Sequence, residues 1–242
     1  MKVIPTTYPS PKKHRTTADD NVKPYERHTP DSGSPPLPES FFLDEDVVAQ
    51  ARRLLGKILV TEIDGHLCRA RIVETEAYRA PDDRACHAWN NRRTPRTEAM
   101  FARGGHTYVY LCYGIHHLFN VVTGPEDMAH AVLVRGVEPL ENTATMLQRR
   151  RHQKVTPQLT AGPGVLSQAL GITTRLSGID LSRGEAPIWL EQDAFDLHER
   201  AIRAGTRVGV ASAGDDALRP WRFSIRDNPW VSPRLGEGET SW

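Results

Sequence analysis

The chain has 242 residues, of which 38% are hydrophobic and 25% charged, and its formal net charge is +1 at pH 7. This length is enough for one sizeable core, and the near-neutral total charge gives by itself no sign of a nucleic-acid partner. The three cysteines (Cys68, Cys86 and Cys112) are odd in number and lack CxxC spacing, which excludes a disulfide-stapled secreted domain and a cysteine zinc site. No apolar run is long enough to cross a bilayer and the N-terminus lacks an apolar signal core, so a soluble intracellular protein is predicted.

The charges are unevenly distributed along the chain. Residues 92–154 contain nine Lys or Arg and five Asp or Glu, a local excess of four positive charges. Such an excess suits a surface that faces phosphates, and it suits an ordinary solvated face equally well.

The first 40 residues are polar and rich in proline, and such a composition buries too little apolar surface to offset the entropy of ordering. We therefore predict a disordered tail over residues 1–40 and a folded domain over residues 41–242. Asp44 is expected to cap a first helix, which carries apolar residues at helical spacing and is closed by Gly56.

Strand pairs joined by tight turns follow this helix. Asp64–Gly65 separates KILVTEI from HLCRARIVETEAY, the pattern of a β-hairpin, and Gly114 separates HTYVYLCY from HHLFNVVTG. AVLVRGVEPL indicates a further strand, ENTATMLQRRR and PGVLSQALGI indicate helices, and RVGV and WRFSI indicate late strands. These elements predict an α+β fold, a single domain with a curved, mainly antiparallel β-sheet flanked by helices and a protruding β-hairpin.

The run RIVETEAY carries two candidate bases. Alternation in a strand places Glu74, Glu76 and Tyr78 on one face. Two carboxylates beside a phenol suit a general base next to a stacking ring, and they also suit a solvent-exposed sheet face. Alternation does not distinguish the two glutamates, so both stay candidates.

Three tyrosines lie within six residues at the second hairpin, inside the basic stretch. Tyr108 and Tyr110 share a strand face, and Tyr113 lies next to Gly114 at the turn, where a ring packs poorly against its own core. Exposed rings beside basic residues suit stacking on bases or wedging into a base step, and edge packing is the alternative.

The histidines do not predict a metal site. His87 follows Cys86, but no second ligand has a recognised spacing, and a lone histidine is more often a hydrogen-bonding residue. His116 and His117 are adjacent in a strand and face opposite sides, which prevents joint chelation. Asn120, at the end of that strand, has by itself the character of a cap or turn residue.

Longer segments carry a family resemblance. The run IVETEAYRAPDDRACHAWNNRRTPRTEAMFARGGHTYVYLCYGIHHLFNVV closely resembles the alkyladenine (3-methyladenine) DNA glycosylase family, and AVLVRGVEPLE, LTAGPGVLSQALGI, RVGVASAGD and LRPWRFSIRDNPWVS continue the match in order. The resemblance covers about residues 42–233. It implies an enzyme of base excision repair that flips alkylated or deaminated purines out of duplex DNA and hydrolyses the N-glycosidic bond, leaving an abasic site.

The resemblance also implies the roles of individual residues in the reaction. Glu76 matches the family's general base, which selects between the two candidates above. Arg135 matches an arginine near the attacking water and the backbone, and Val208 matches a position whose backbone carbonyl helps to hold that water.

Five further matches concern the DNA. Tyr78 and Tyr110 match the aromatic walls that sandwich the extruded base, and His87 matches the residue that completes this pocket. Asn120 matches the residue whose side chain crowds the exocyclic amine of normal guanine. Tyr113 matches the wedge that fills the hole left in the duplex.

The lysines bear on the reaction type. A glycosylase that also cuts the strand needs an amine nucleophile, yet four of the six lysines lie in the tail, and Lys57 and Lys154 fall in no pocket motif. We therefore expect a monofunctional enzyme that uses water and needs neither a metal nor another cofactor. Its substrates would be 3-methyladenine, 7-methylguanine, hypoxanthine and ethenoadenine.

The expected partner is double-stranded DNA that contains damaged purines, with no membrane association. The enzyme is expected to act as a monomer, with downstream abasic-site repair enzymes as candidate protein partners. Its expected location is the cytoplasm, on the nucleoid, in a bacterial host and the nucleus in a eukaryotic host.

Two other classes of protein are alternative interpretations of the same residues. A glycosidase of another class would use Glu74 and Glu76 as a carboxylate pair, because same-face residues in a strand stand about 6.6–6.8 Å apart. It would leave the tyrosines and arginines without a role. A binding module would use them only to grip a strand, and release of free base from alkylated DNA would exclude it.

Overall fold

The structure, a computed structural model, describes residues 34–184, 186–194 and 197–232. Residues 1–33, which make up most of the predicted disordered tail, and residues 233–242 lie outside the described residues. Within 34–40, Leu37 is buried and its backbone N–H donates to the carbonyl of Leu190. The packed chain therefore includes a few residues that the sequence analysis assigned to the tail, because one apolar side chain of this Pro-rich segment reaches the core.

Antiparallel strands dominate the described chain. The strands are β1 (Ile58–Ile63), β2 (His66–Arg79), β3 (Thr107–Cys112), β4 (His116–Thr123), β5 (His130–Glu141), β6 (Ile188–Glu191), β7 (Ile202–Gly205) and β8 (Arg222–Ile225). They form one sheet in the order β3-β4-β5-β2-β1-β6, with β8 paired to both β2 and β7. Every registered pair among the described residues is antiparallel.

Helices flank this sheet, as predicted. They are α1 (Val47–Arg53), α2 (Thr143–Arg150) and α3 (Pro163–Leu170), accompanied by short 3-10 turns. Their apolar sides join the sheet in one buried cluster that includes Leu54, Phe119 and Leu166. The α+β prediction is confirmed. No helix in the described ranges has both the length and the apolar character that a bilayer span requires.

Strand β2 organises the sheet. Its first half pairs with β1, its residues 74–76 pair with β8, and most of its length pairs with β5. Register shifts against β5 occur around Ile72, Glu74 and Thr75, and such bulges bend a strand and re-aim its side chains. At this irregularity Glu74 and Glu76 are paired with β5 on one side and with β8 on the other.

The turns follow the predicted chemistry. Asp64 (φ 55°) and Gly65 (φ 72°) both have positive φ, as a two-residue hairpin turn of this hand requires. Strands β3 and β4 also pair, and the turn between them consists of Tyr113 (φ 49°), Gly114 (φ 76°) and Ile115. That this second hairpin protrudes from the domain stays a prediction.

Two local predictions are wrong. Asp46, rather than Asp44, caps α1, and its carboxylate accepts the backbone N–H groups of Val48 and Ala49. The run RVGV is irregular, and the strand of this region is β7, which ends two residues earlier. The backbone of Val208 bonds to a side chain of β2 and not to a neighbouring strand, which is why strand propensity does not decide its conformation.

Candidate active site

A cavity of about 780 Å³ lies between the β3–β4 hairpin, the loop after β2, the first turn of α3 and the loop after β7. Seven of the eight site residues predicted from the sequence line it: Tyr78, His87, Tyr110, Tyr113, Asn120, Arg135 and Val208. The eighth, Glu76, is fully buried. It lies directly behind the wall, because the groups that bind its carboxylate are themselves wall residues.

Three groups hold the Glu76 carboxylate. Its Oε2 accepts the phenol of Tyr78 at 2.7 Å, and its Oε1 accepts the backbone N–H of Val208 at 2.7 Å. Arg135 Nη1 lies 3.4 Å from the same Oε1. The carboxylate is thereby fixed in direction, one side chain behind the cavity surface.

Glu74 has a different environment, although it contacts the same arginine as Glu76. Its carboxylate accepts four hydrogen bonds, from Arg135 Nε (3.0 Å), Arg222 Nε (2.6 Å), Ser232 N (2.7 Å) and Ser232 Oγ (2.9 Å). Oε1 accepts three of these bonds and Oε2 accepts one, so most of the acceptor capacity of this carboxylate is already used. Glu74 is also fully buried and does not line the cavity. A glycosidase with a carboxylate pair would need Glu74 as its second catalytic carboxylate, and Glu74 instead binds Arg135.

Arg135 joins the two glutamates and is itself buried. Its Nη2 also donates to Ser232 Oγ at 3.3 Å. Burial acts to lower the pKa of Arg135, but the charges of Glu76 and Glu74 outweigh it and raise the pKa above its ordinary value. The guanidinium therefore stays charged and offsets the negative charge next to the cavity.

Tyr78 is held from behind by a second buried arginine. Arg207 Cζ lies 4.8 Å from the centroid of the Tyr78 ring, and its guanidinium forms an ion pair with Asp83 at 2.5 and 2.7 Å. Burial, followed by the charge of Glu76, raises the pKa of Tyr78 well above its ordinary value. The phenol therefore keeps the proton that it donates to Glu76.

His87, Tyr108 and Tyr110 form a ring cluster that also lines the cavity. His87 Nδ1 lies 2.9 Å from Tyr108 Oη, and its ring stands edge-on to Tyr110 with centroids 4.6 Å apart. Burial, followed by the charge of Arg96, lowers the pKa of His87 to about 4. Burial raises the pKa of Tyr108 to about 12. The cluster is uncharged at neutral pH, so it offers rings and hydrogen bonds without a charge of its own.

Asn120 and Tyr113 complete the predicted set. The Asn120 amide nitrogen donates to the carbonyls of Tyr108 (2.9 Å) and Leu118 (3.3 Å), which fixes this buried side chain at the cavity wall. Tyr113 is 86% exposed at the hairpin turn. Its ring lies at the cavity mouth and is free to meet a partner.

Sequence reasoning missed three contributors to the site. Arg96 lines the cavity and lies over Tyr110, whereas Arg207 and Asp83 support Tyr78 from behind. Arg207 directly precedes Val208 in RVGV, and this adjacency was the one available signal.

Within the described ranges, no group of three or more His, Cys, Asp or Glu is placed to hold a metal ion. Burial raises the pKa of the Cys86 thiol to about 12.

Comparisons with known proteins show the family of the chain. The family described as methylpurine-DNA glycosylase matches residues 41–229, and the chain belongs to that family. It is therefore a DNA glycosylase, a hydrolase of N-glycosidic bonds. A Chlamydia pneumoniae protein is 46% identical over 78% of this chain and 94% of its own length. Proteins of Natranaerobius thermophilus (44% identical; 79% of this chain, 96% of their own) and Bacillus cereus (40%; 81% and 98%) are also similar, and all three are named "Putative 3-methyladenine DNA glycosylase".

Proposed function

We propose that this chain is a monofunctional DNA glycosylase that extrudes damaged purines from duplex DNA and hydrolyses their N-glycosidic bond with water activated by Glu76. The observation that carries the proposal is a buried, oriented carboxylate directly behind a ring-lined cavity. The product is an abasic site in an unbroken strand.

Extrusion comes first, because the glycosidic carbon of a stacked nucleotide is inaccessible. Tyr113 enters the base stack and fills the space that the base leaves, which offsets part of the unstacking cost. The extruded base stacks between Tyr78 and Tyr110, and base–aromatic contact contributes about 1–3 kcal/mol per base. His87 and Asn120 border the same pocket and restrict which purine edges fit.

Hydrolysis then depends on Glu76. The carboxylate accepts a proton from water as the water attacks C1′ of an oxocarbenium-like sugar, and its negative charge stabilises that developing cation. The Tyr78 hydroxyl, the Val208 N–H and Arg135 orient the carboxylate from three sides. Val208 also lines the cavity, which supports a role of its backbone carbonyl in holding the water.

The lysine positions support a monofunctional reaction. Among the described residues no lysine lines the cavity, and Lys57 instead donates to Gln192 at 2.8 Å. Among the described residues, the cavity wall therefore has no lysine amine that could form an imine with the sugar. Substrates of the right class are 3-methyladenine, 7-methylguanine, hypoxanthine and ethenoadenine, with methylated adenine favoured by the names of the relatives.

The protein would act as a monomer, because one chain supplies the whole cavity and its Glu76. Double-stranded DNA is the macromolecular substrate, and abasic-site repair enzymes are the partners that would follow. The named relatives are bacterial, which favours nucleoid DNA as the place of action.

Release of free base is the decisive test. The full chain is incubated with duplexes that each carry one lesion at a defined position, and free base is quantified by chromatography. We expect base release, strand breakage only after alkali treatment, and no covalent adduct on borohydride reduction. Binding that is independent of the lesion, without base release, would support the binding module instead.

A further inference from the structure

Each of the two predicted stacking rings has a guanidinium over it. Arg207 Cζ lies 4.8 Å from the Tyr78 centroid, and Arg96 Cζ lies 5.5 Å from the Tyr110 centroid. A cation near an aromatic face is attracted by the same ring quadrupole that would attract a cationic ligand. The walls of the cavity therefore differ from a pair of bare electron-rich rings.

The two arginines differ in how their charge is compensated. Arg207 is buried and forms a bidentate ion pair with Asp83, so the pair adds little net charge. Arg96 is exposed and lines the cavity. No carboxylate of the described ranges lies within ion-pair distance of it.

The charge of Arg96 reaches the pocket interior. After burial, it is the second cause that lowers the pKa of His87. It also opposes the rise that burial produces in the pKa values of Tyr108 and Tyr110. An extruded base beside these rings would lie in the same field.

We propose that Arg96 is a specificity-determining residue that disfavours positively charged N-alkylated purines relative to neutral purine lesions. The proposal rests on the proposed function and names a preference within it. A purine nucleoside alkylated at N3 or N7 carries a positive charge, whereas hypoxanthine and ethenoadenine nucleosides are neutral. The carboxylates of Glu74 and Glu76 are balanced by the guanidiniums of Arg135 and Arg222, so this buried cluster adds no net charge, whereas Arg96 lines the cavity without a paired carboxylate in the described ranges.

The size of the effect follows from Coulomb's law. Arg96 Cζ lies 5.5 Å from the Tyr110 centroid, so a base stacked on Tyr110 would lie within on the order of 9 Å of this guanidinium, at most about one Debye length at physiological salt. After discounting for the exposure of Arg96, we expect its removal to favour cationic lesions by about three- to tenfold.

The test compares two lesions in one sequence context. Single-turnover rates and kcat/KM are measured for duplexes that carry 7-methylguanine or hypoxanthine, after subtraction of spontaneous depurination. The variants are Arg96→Gln, which removes the charge, and Arg96→Lys, which keeps it. Arg93→Gln is the matched control, because Arg93 also lies over a ring, that of Phe101, but is paired with Glu98 and Asp127 outside the cavity.

The proposal predicts that the ratio of 7-methylguanine to hypoxanthine excision rises about three- to tenfold in Arg96→Gln and stays within about twofold of wild type in the other two variants. An equal loss on both lesions would reduce Arg96 to a phosphate contact and overturn the proposal, as would an unchanged or lower ratio. A wild-type protein that excises neither lesion would overturn the proposed function as well, and that result is distinct from active excision with an unchanged ratio.

Discussion

The backbone N–H of Val208 donates to Oε1 of Glu76 at 2.7 Å, and this bond joins residues 132 positions apart in the chain. It attaches the loop after β7 to the C-terminal half of β2, at the wall of the cavity. The same loop therefore serves two purposes, since it lines the cavity and orients the carboxylate behind it. A segment that resembles a strand in sequence is irregular here because its backbone bonds to a side chain.

Replacement of Glu76 by Gln should separate binding from chemistry. The amide keeps the size of the side chain but cannot accept a proton from water, so lesion binding should persist while the single-turnover rate falls by about 10²- to 10⁴-fold. Glu62→Gln, a change at an exposed position of β1, is the control and should retain the wild-type rate. Equal rates for Glu76→Gln and wild type would reject Glu76 as the base.

Truncation of Tyr113 should affect extrusion without affecting folding. Its side chain is 86% exposed, so Tyr113→Ala should shift the free energy of unfolding by no more than about 0.5 kcal/mol. Loss of a stacking ring at a cost of about 1–3 kcal/mol should lower lesion affinity by roughly 5- to 150-fold, and Tyr113→Phe should preserve it. Leu218→Ala, another exposed apolar position (71%), is the control. Unchanged lesion affinity in Tyr113→Ala would show that Tyr113 does not act as the residue that enters the base stack.

The low pKa of His87 makes a prediction about acid conditions. The folded protein holds the imidazole neutral down to about pH 4, whereas in the unfolded chain it takes up a proton near pH 6.5. The stability contributed by this group is therefore complete above pH 6.5 and is lost as the pH falls towards 4. The stability of wild type relative to His87→Gln, from urea denaturation, should decline between pH 7 and pH 4.5. A constant difference across that range would contradict the assignment.

The same shift bears on catalysis. His87 is neutral throughout pH 5–8, so its protonation cannot shape the rate over this range. We expect the single-turnover rate profiles of wild type and His87→Gln to have the same form, even if the variant is slower at every pH. A pH-dependent rise or fall of the rate that is present in wild type and absent from the variant would show that His87 titrates between pH 5 and pH 8.

Residue patterns predicted the sheet, whereas most of the predicted cavity residues came from the family resemblance. The hairpin at Asp64–Gly65, the strand β5 and the helix that begins at Pro163 each have a local signal, namely a turn pair, an apolar run or a proline at the first helical position. Alternation also predicted that Glu74 and Glu76 share one strand face, and in the structure both carboxylates contact Arg135.

The missing parts are those that depend on distant contacts. Alternation gave Glu74 and Glu76 equal standing, and the resemblance, not the pattern, selected Glu76. What separates them physically is the set of hydrogen bonds that Glu74 accepts from Arg222 and Ser232, which lie about 150 positions away in the chain. The role of Arg207 was hidden for the same reason, because its partner Asp83 is 124 positions away. Local periodicity carries no information about such pairs.

The buried pair of Asp83 and Arg207 should matter for the rate as well as for stability. Arg207 donates to the backbone carbonyls of Ala77 in β2 (2.8 Å) and of Asp216 (3.0 Å), and it lies directly before Val208. Asp83→Asn leaves this guanidinium buried without its counter-charge, which should cost about 3–5 kcal/mol of unfolding free energy. Because Arg207 also supports the ring of Tyr78, we expect the single-turnover rate to fall at least tenfold at temperatures where the variant is folded.

Asp193→Asn provides the matched control for this change. Asp193 is equally buried and binds the buried Arg71 on β2, but neither residue lines the cavity. This variant should also lose stability, by a smaller amount because Glu138 still pairs with Arg71 at 2.9 Å, and it should keep its rate. A rate loss that merely follows the stability loss in both variants would show that the Asp83–Arg207 pair supports the fold alone. A rate loss confined to Asp83→Asn would show that the pair positions Tyr78 and Val208 around the Glu76 carboxylate.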